Sequence, residues 1–283
     1  MPDVSSSLLA NIDLFSQYSA AAYCNAVTAG TVETAIACST SNCPLVEASG
    51  ATLLGSFNNV GLYSSSGYLA VDTANKRLIL AFCGAELTGF LVLASLYLSP
   101  CPTVCAACNC FDGIYDSWVT EARPIVTPLL AKYLPMYPGY KLVVTGHSLG
   151  ASQAIYAAAE IRNNGTNATV YNFGQPRLGD LAFSEYVTSQ ANNSANQNYR
   201  VTHTDDPDPR IGDTSQGFMH ISPEYWISYD ANTTTYDVSA AQIKVIVGYN
   251  NLTGCSGQSG LDLSAHGKYF QSNIAACAVP LGL

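Results

Sequence analysis

The sequence predicts an α/β fold with a mostly parallel central sheet, on three observations. Apolar runs of strand length alternate with longer segments of helical spacing. One unit, "KLVVTGHSLGASQAIYAAAEIRNNG", runs from a β-branched strand through a tight turn into an Ala-rich helix that stops at Asn-Asn-Gly. No linker, repeat or low-complexity tract divides the 283 residues, so a single domain over 1–283 is expected.

The elements follow in chain order. Residues 5–24 carry apolar side chains at roughly helical spacing in "LLANIDLFSQYSAAAYC". "YLAVDT" (68–73) and "RLILAFC" (77–83) read as strands. A helix-like stretch spans 114–134, with Pro124 and Pro128 placed to start or kink it, because proline lacks the donor that a helix interior uses. The strand "KLVVTG" (141–146) leads to a helix over 150–162, and "TVYNFG" (169–174) to one over 179–190. "YRVTH" (199–203) and "IKVIVGY" (243–249) are the remaining strands.

Composition narrows the class. The chain is 48% hydrophobic and 11% charged, enough to fill a sizeable core. A net charge of −9 argues against nucleic acid and against anionic membranes as partners, and favours an uncharged substrate. Ten cysteines suit an oxidising, extracellular setting, and five Asn-x-Ser/Thr sequons at Asn164, Asn167, Asn192, Asn232 and Asn251 agree with secretion. "MPDVSSSLLANIDLF" lacks the basic start and continuous apolar core of a signal peptide, so a mature secreted chain is expected.

Gly146-His147-Ser148-Leu149-Gly150 stands at the turn of the strand–helix unit. A G-x-S-x-G match is weak alone, but here a strand precedes it and a helix follows. The two glycines let strand and helix approach closely, and the helix N-terminus points donors at a developing oxyanion. A serine nucleophile needs a base, and the base needs an orienting carboxylate. His147, inside the elbow, is read as packing. His203, His220 and His266 remain; if an acid from the Asp-rich loop 205–213 precedes the base, His220 or His266 follows it, and spacing favours His266.

The set "VVTGHSLGAS", "YNFGQPRLGD", "VTHTDDPDPR", "GFMHISPEYWI" and "SAHGKYF" resembles the secreted fungal lipases of the class 3, filamentous-fungus type, with feruloyl esterases as a sister branch. The resemblance runs from "FSQYSAAAYC" to the end of the chain. It implies an α/β-hydrolase fold with a helical lid, Ser148 as nucleophile, His266 as general base and Asp206 as the acid. His203 and His220 then become structural. Where the family has aliphatic residues after the acid, this chain has Pro207 and Asp208, which makes Asp208 a rival carboxylate able to raise the imidazole pKa. Asp205 and Asp213 are read as solvated loop charges. The family's Phe-Arg-Gly-Ser/Thr oxyanion loop is replaced by Phe82-Cys83-Gly84-Ala85. Backbone donors at Ala85 and Leu149 are expected to survive without the supporting hydroxyl.

The resemblance also accounts for "GAELTGFLVLASLYLSPC" (84–101), too short to span a bilayer and without strand alternation. It falls where the family has its lid, so residues 86–98, with Leu87, Phe90, Leu91 and Leu93, are expected to cover the site in water and to bind lipid when opened. An aliphatic lid favours a lipase over the feruloyl branch, whose segment is polar. Three disulfides are implied by the resemblance: Cys24–Cys277, Cys38–Cys43 and Cys105–Cys108. Cys83, Cys101, Cys110 and Cys255 are left unassigned, and no metal or cofactor is expected despite "CPTVCAACNC". The expected activity is hydrolysis of acylglycerol esters at a lipid–water interface by a monomeric enzyme. A carboxylesterase acting on soluble esters and a non-catalytic lipid-binding relative are the alternatives.

Overall fold

The computed structural model describes residues 4–84, 96–228, 238–270 and 272–278. Its frame is an eight-stranded sheet. Three antiparallel strands begin it: β1 (Thr52–Val60), β2 (Ser65–Asp72) and β3 (Arg77–Phe82). A small two-stranded ribbon, β4 (Leu98–Pro100) with β5 (Asn109–Phe111), follows outside the sheet. β6 (Lys141–His147), β7 (Thr169–Phe173), β8 (Asn198–His203) and β9 (Glu224–Ile227) then extend the sheet in parallel from β3, and β10 (Ile243–Ile246) closes it antiparallel to β9. The strand order is β1-β2-β3-β6-β7-β8-β9-β10.

The central strands read as continuous apolar runs because both faces are covered. In β6, Leu142 and Val144 pack into one core and Val143 into the other. β3 divides the same way, with Leu78, Leu80 and Phe82 on one side and Ile79 and Ala81 on the other. The first face is covered by helices Arg123–Tyr133 and Leu149–Asn163, the second by the N-terminal helix Ser6–Ala21. Ala154, Ala157, Ala158 and Ala159 are fully buried; their small side chains let the helix after β6 sit close against the sheet.

Two strands of the eight-stranded sheet were not expected from sequence. β1 carries Gly55, Asn58 and Asn59 and is irregular in register at two points along β2, so its pattern breaks. β9 is only four residues long and directly follows Pro223. The stretch at 114–134 is a helix with a π turn at Ser117–Ala122. That wider turn lies immediately before Pro124, whose ring would otherwise meet the carbonyl of Thr120.

Four disulfides tie the chain: Cys24–Cys277, Cys38–Cys43, Cys105–Cys108 and Cys101–Cys110. The last two are nested and brace the β4–β5 ribbon. Cys83 and Cys255, the other two residues left unassigned by sequence, are buried thiols. The expected lid falls largely outside the described residues, Leu87, Phe90, Leu91 and Leu93 included. Of its C-terminal end, Leu96 and Tyr97 are exposed and Leu98 opens β4.

Candidate active site

β6 ends at His147, and the helix Leu149–Asn163 begins after a single intervening residue. Ser148 must therefore reverse the chain, and it does so at φ 59° and ψ −126°, a conformation costly for any residue with a Cβ. Its N–H donates to Phe173 O at 2.9 Å, which fastens the turn to β7. The flanking glycines are needed for space. A Cβ on Gly146 would lie 2.3 Å from Gly150 O, and one on Gly150 would lie 2.4 Å from Phe82 O. The result is a partly exposed serine at the end of a parallel strand, with the N–H groups of a helix start beside it. Leu149 N–H lies at that start; Ala85 lies outside the described residues.

His266 ends the short helix Leu263–His266, which Asp262 caps by accepting from Ser264 N–H at 2.8 Å. Its Nδ1 faces both carboxylate oxygens of Asp206, at 3.0 and 3.1 Å. A carboxylate only accepts, so Nδ1 carries a proton. Asp206 has no exposed surface. It also accepts from the Tyr269 hydroxyl and from Asp208 N–H at 3.0 Å. Burial opposes its charge, but His266, Tyr269 and the Asp208 amide overcome that and hold its pKa below the usual carboxylate range.

The two loops that carry this pair are sewn together. Asp262 N–H donates to Asp205 O at 3.1 Å, and the Arg210 guanidinium donates to Gln258 O and Gly260 O. His220 Nε2 donates to Pro209 O at 2.7 Å, and His203 Nδ1 donates to Thr204 O at 2.6 Å, so both serve the acid loop as supports. Burial pushes the pKa of each down. His147 has a comparable part. Its Nε2 lies 2.7 Å from His266 O and its Nδ1 lies 2.6 Å from the Tyr23 hydroxyl. The carbonyl must accept, so Nε2 donates and Nδ1 accepts from Tyr23. Burial lowers the His147 pKa to about 3, which keeps it neutral.

Gly174, just past β7, makes the approach of base and acid feasible. It has φ +61°, and a Cβ there would stand 2.8 Å from His266 Cε1 and 3.2 Å from Asp206 Oδ2. Gly174→Ala is expected to push the imidazole off Asp206 and to lower kcat/KM on the order of 10²-fold while circular dichroism stays native. An unimpaired rate in that variant would place the working position of His266 elsewhere.

Asp208 is the departure from the simple arrangement. It opens the 3₁₀ turn Asp208–Arg210, and its Oδ2 lies 2.8 Å from His266 Nε2, the nitrogen that would serve Ser148. Nε2 makes no aligned hydrogen bond among the described residues, to Ser148 or to any other group. Burial disfavours charge on His266, but Asp206 and Asp208 together raise its pKa to about 10. Asp205 and Asp213 stay outside the cluster: Asp213 caps the turn Thr214–Gln216, and Asp205 turns the chain at φ 67°.

Sequence reasoning singled out Ser148, Asp206 and His266, and the fold brings Asp206 and His266 together. It passed over Tyr269, Gly174 and Tyr23. Tyr269 and Gly174 lie inside the stretches "SAHGKYF" and "YNFGQPRLGD", so their signal was position within a motif. Among the described residues, two groups of donors lie close enough to share a cation. In one, Cys38 and Cys43 are spent in a disulfide; in the other, Asp206, Asp208 and His266 already face one another as an ion-paired set.

A serine on a strained elbow above a mostly parallel sheet, on this strand order, makes the chain an α/β-hydrolase, and the comparisons with known proteins say which. The family model "Lipase (class 3)" matches residues 85–215. The secreted mono- and diacylglycerol lipase A of Penicillium cyclopium is 38% identical over 95% of this chain and 86% of its own length. The secreted mono- and diacylglycerol lipase 1 of Fusarium solani is 37% identical over 95% of this chain and 78% of its own length. The crystal structure of a mono- and diacylglycerol lipase from Aspergillus oryzae superposes with a TM-score of 0.87 at 34% identity, covering 96% of this chain and 100% of that one. The chain belongs to the class 3 lipase family of carboxylic ester hydrolases.

Proposed function

We propose that the protein is a secreted lipase that hydrolyses mono- or diacylglycerol esters at a lipid–water interface through Ser148, His266 and Asp206. The observation that carries this reading is an imidazole fixed by a fully buried carboxylate, in a chain whose serine stands on the strand–helix elbow. Ser148 attacks the ester carbonyl, and His266 Nε2 takes its proton. The tetrahedral oxyanion is held by the N–H groups of Leu149 and Ala85. His266 returns the proton to the leaving alcohol, and water, activated by the same imidazole, releases the fatty acid from the acyl-enzyme. Asp206 keeps Nδ1 protonated and stabilises the imidazolium. The chain's own residues supply each of these steps.

The mono- and diacylglycerol preference rests on its relatives, which are mono- and diacylglycerol lipases. Export is supported by four disulfides and by sequon asparagines Asn164, Asn167 and Asn192 lying exposed, and no described helix is long and apolar enough to cross a membrane. The test is initial rate against tributyrin concentration, followed through the solubility limit. A steep rise once droplets form is the expected outcome. Smooth saturation below that limit would mark an esterase for soluble substrates. Lipid binding without turnover would mark a non-catalytic relative.

A further inference from the structure

We propose that Asp208 is a positioning residue that restrains the base: its carboxylate holds the Nε2 side of His266 in competition with the Ser148 hydroxyl. The inference rests on the reading of Ser148 and His266 given above and adds a control on when that pair can act.

The geometry gives the reason. An imidazole serves a serine through one nitrogen while the other is held by the orienting acid. Here the orienting acid, Asp206, sits at Nδ1, and a second carboxylate sits 2.8 Å from Nε2. A ring between two carboxylates is stabilised as the imidazolium, and an imidazolium cannot take the serine proton. Two backbone features fix Asp208 in this place. Its own N–H is anchored to Asp206 Oδ1, and the following Pro209 carbonyl is pinned by His220. Its side chain remains about a quarter exposed, at 24%, so the carboxylate has water to move into when an ester fills the site.

The other charged and titratable groups around His266 do not alter this balance. His147, with its ring centroid 4.4 Å away on the elbow, is kept neutral by burial. Tyr269 is buried, donates to Asp206 and has a pKa well above the ordinary value. Gly174, on the loop after β7, brings no charge to the ring. On the base's own segment, Lys268 donates to Ser264 Oγ and Asp262 caps the helix start. On the acid loop, Asp205 accepts through its carbonyl from Asp262 N–H, and Arg210 is committed to the carbonyls of Gln258 and Gly260.

The sign follows. The raised pKa means that His266 is protonated below it, so the fraction able to act as a base grows tenfold per pH unit up to that value. Removing the Asp208 charge takes away one of the two stabilising carboxylates and moves the transition to lower pH.

The experiment measures kcat/KM against pH with a water-soluble p-nitrophenyl ester for the wild type, Asp208→Asn, Asp208→Val and Asp208→Glu. The wild type should have its acid limb on the alkaline side of neutrality. Asp208→Asn and Asp208→Val should move that limb down by one unit or more and raise kcat/KM at pH 7 on the order of 10- to 100-fold. Asp208→Glu should restore the wild-type profile. An unmoved limb in the Asn and Val variants overturns the proposal, even if their rates fall. A turnover-independent reading comes from the NMR titration of the His266 Cε1 proton in Ser148→Ala, with and without Asp208→Asn. A downward shift there, with a wild type that hydrolyses no ester, would sink the catalytic reading and keep the pairing. Identical titrations would sink the pairing whatever the rates.

Discussion

Ser148→Ala is expected to abolish ester hydrolysis, with kcat falling on the order of 10⁶-fold, while the fold persists. The size follows from the role: without the hydroxyl no acyl-enzyme forms, and what remains is whatever acceleration the oxyanion donors and binding provide. Persistence of the fold follows from the local structure. The Ser148 side chain forms no cap on the helix it precedes, and alanine meets the same backbone strain at φ 59° that serine already bears. Labelling by an organophosphonate, read by mass spectrometry, should occur in the wild type and vanish in the variant, with thermal unfolding unchanged. A wild type that resists the label at every pH would mean that the elbow serine is not nucleophilic.

Asp206→Asn is expected to lower kcat on the order of 10⁴-fold. An amide presents one acceptor and one donor group where the carboxylate presented two acceptors to Nδ1, the Tyr269 hydroxyl and the Asp208 amide. The imidazole then loses the fixed protonated Nδ1, and with it the basic Nε2. The comparison with Asp208→Asn separates the rival acids, since neutralising Asp208 is expected to raise the rate at pH 7 and neutralising Asp206 to destroy it. Equal losses in both variants would contradict the assignment. The pH dependence has a definite sign. Asp206 has a depressed pKa, so its contribution to stability is present above the unfolded carboxylate value and is lost as pH falls through the lower folded one. The rise of activity with pH accordingly belongs to His266, whose pKa is raised.

The sequence revealed the sheet's centre better than its edges. β3 and β6 are buried on both faces and carry apolar runs, and β7 and β8 are rich in β-branched and aromatic residues, so they announce themselves. β1, with a glycine, two asparagines and two register shifts, and β9, four residues after a proline, take their strand character from neighbours distant in sequence. The elbow was legible because its chemistry is local, the serine, the glycines and both flanking elements lying within one strand–helix unit. The acid was harder. Asp205, Asp206 and Asp208 share one loop, and only the folded geometry places Asp206 at Nδ1 and Asp208 at Nε2. Sequence could name Asp208 as an anomaly and foresee its influence on the imidazole, but could not say which nitrogen it would face. Tyr269 was hard to read for a related reason: beyond its place in "SAHGKYF", a tyrosine three residues after His266 shows no role until its hydroxyl reaches a buried carboxylate.

The bond between Cys24 and Cys277 has a consequence for how the molecule comes into being. On the ribosome Ser148 emerges first and Asp206 second, and His266 follows last of the three. The segment bearing that base is then latched to the N-terminal region by a cross-link spanning 253 positions, which requires an oxidising compartment. A growing or still-reduced chain therefore carries an unfinished set of reacting groups. The order of manufacture itself thus delays the assembly of the site until that cross-link can form.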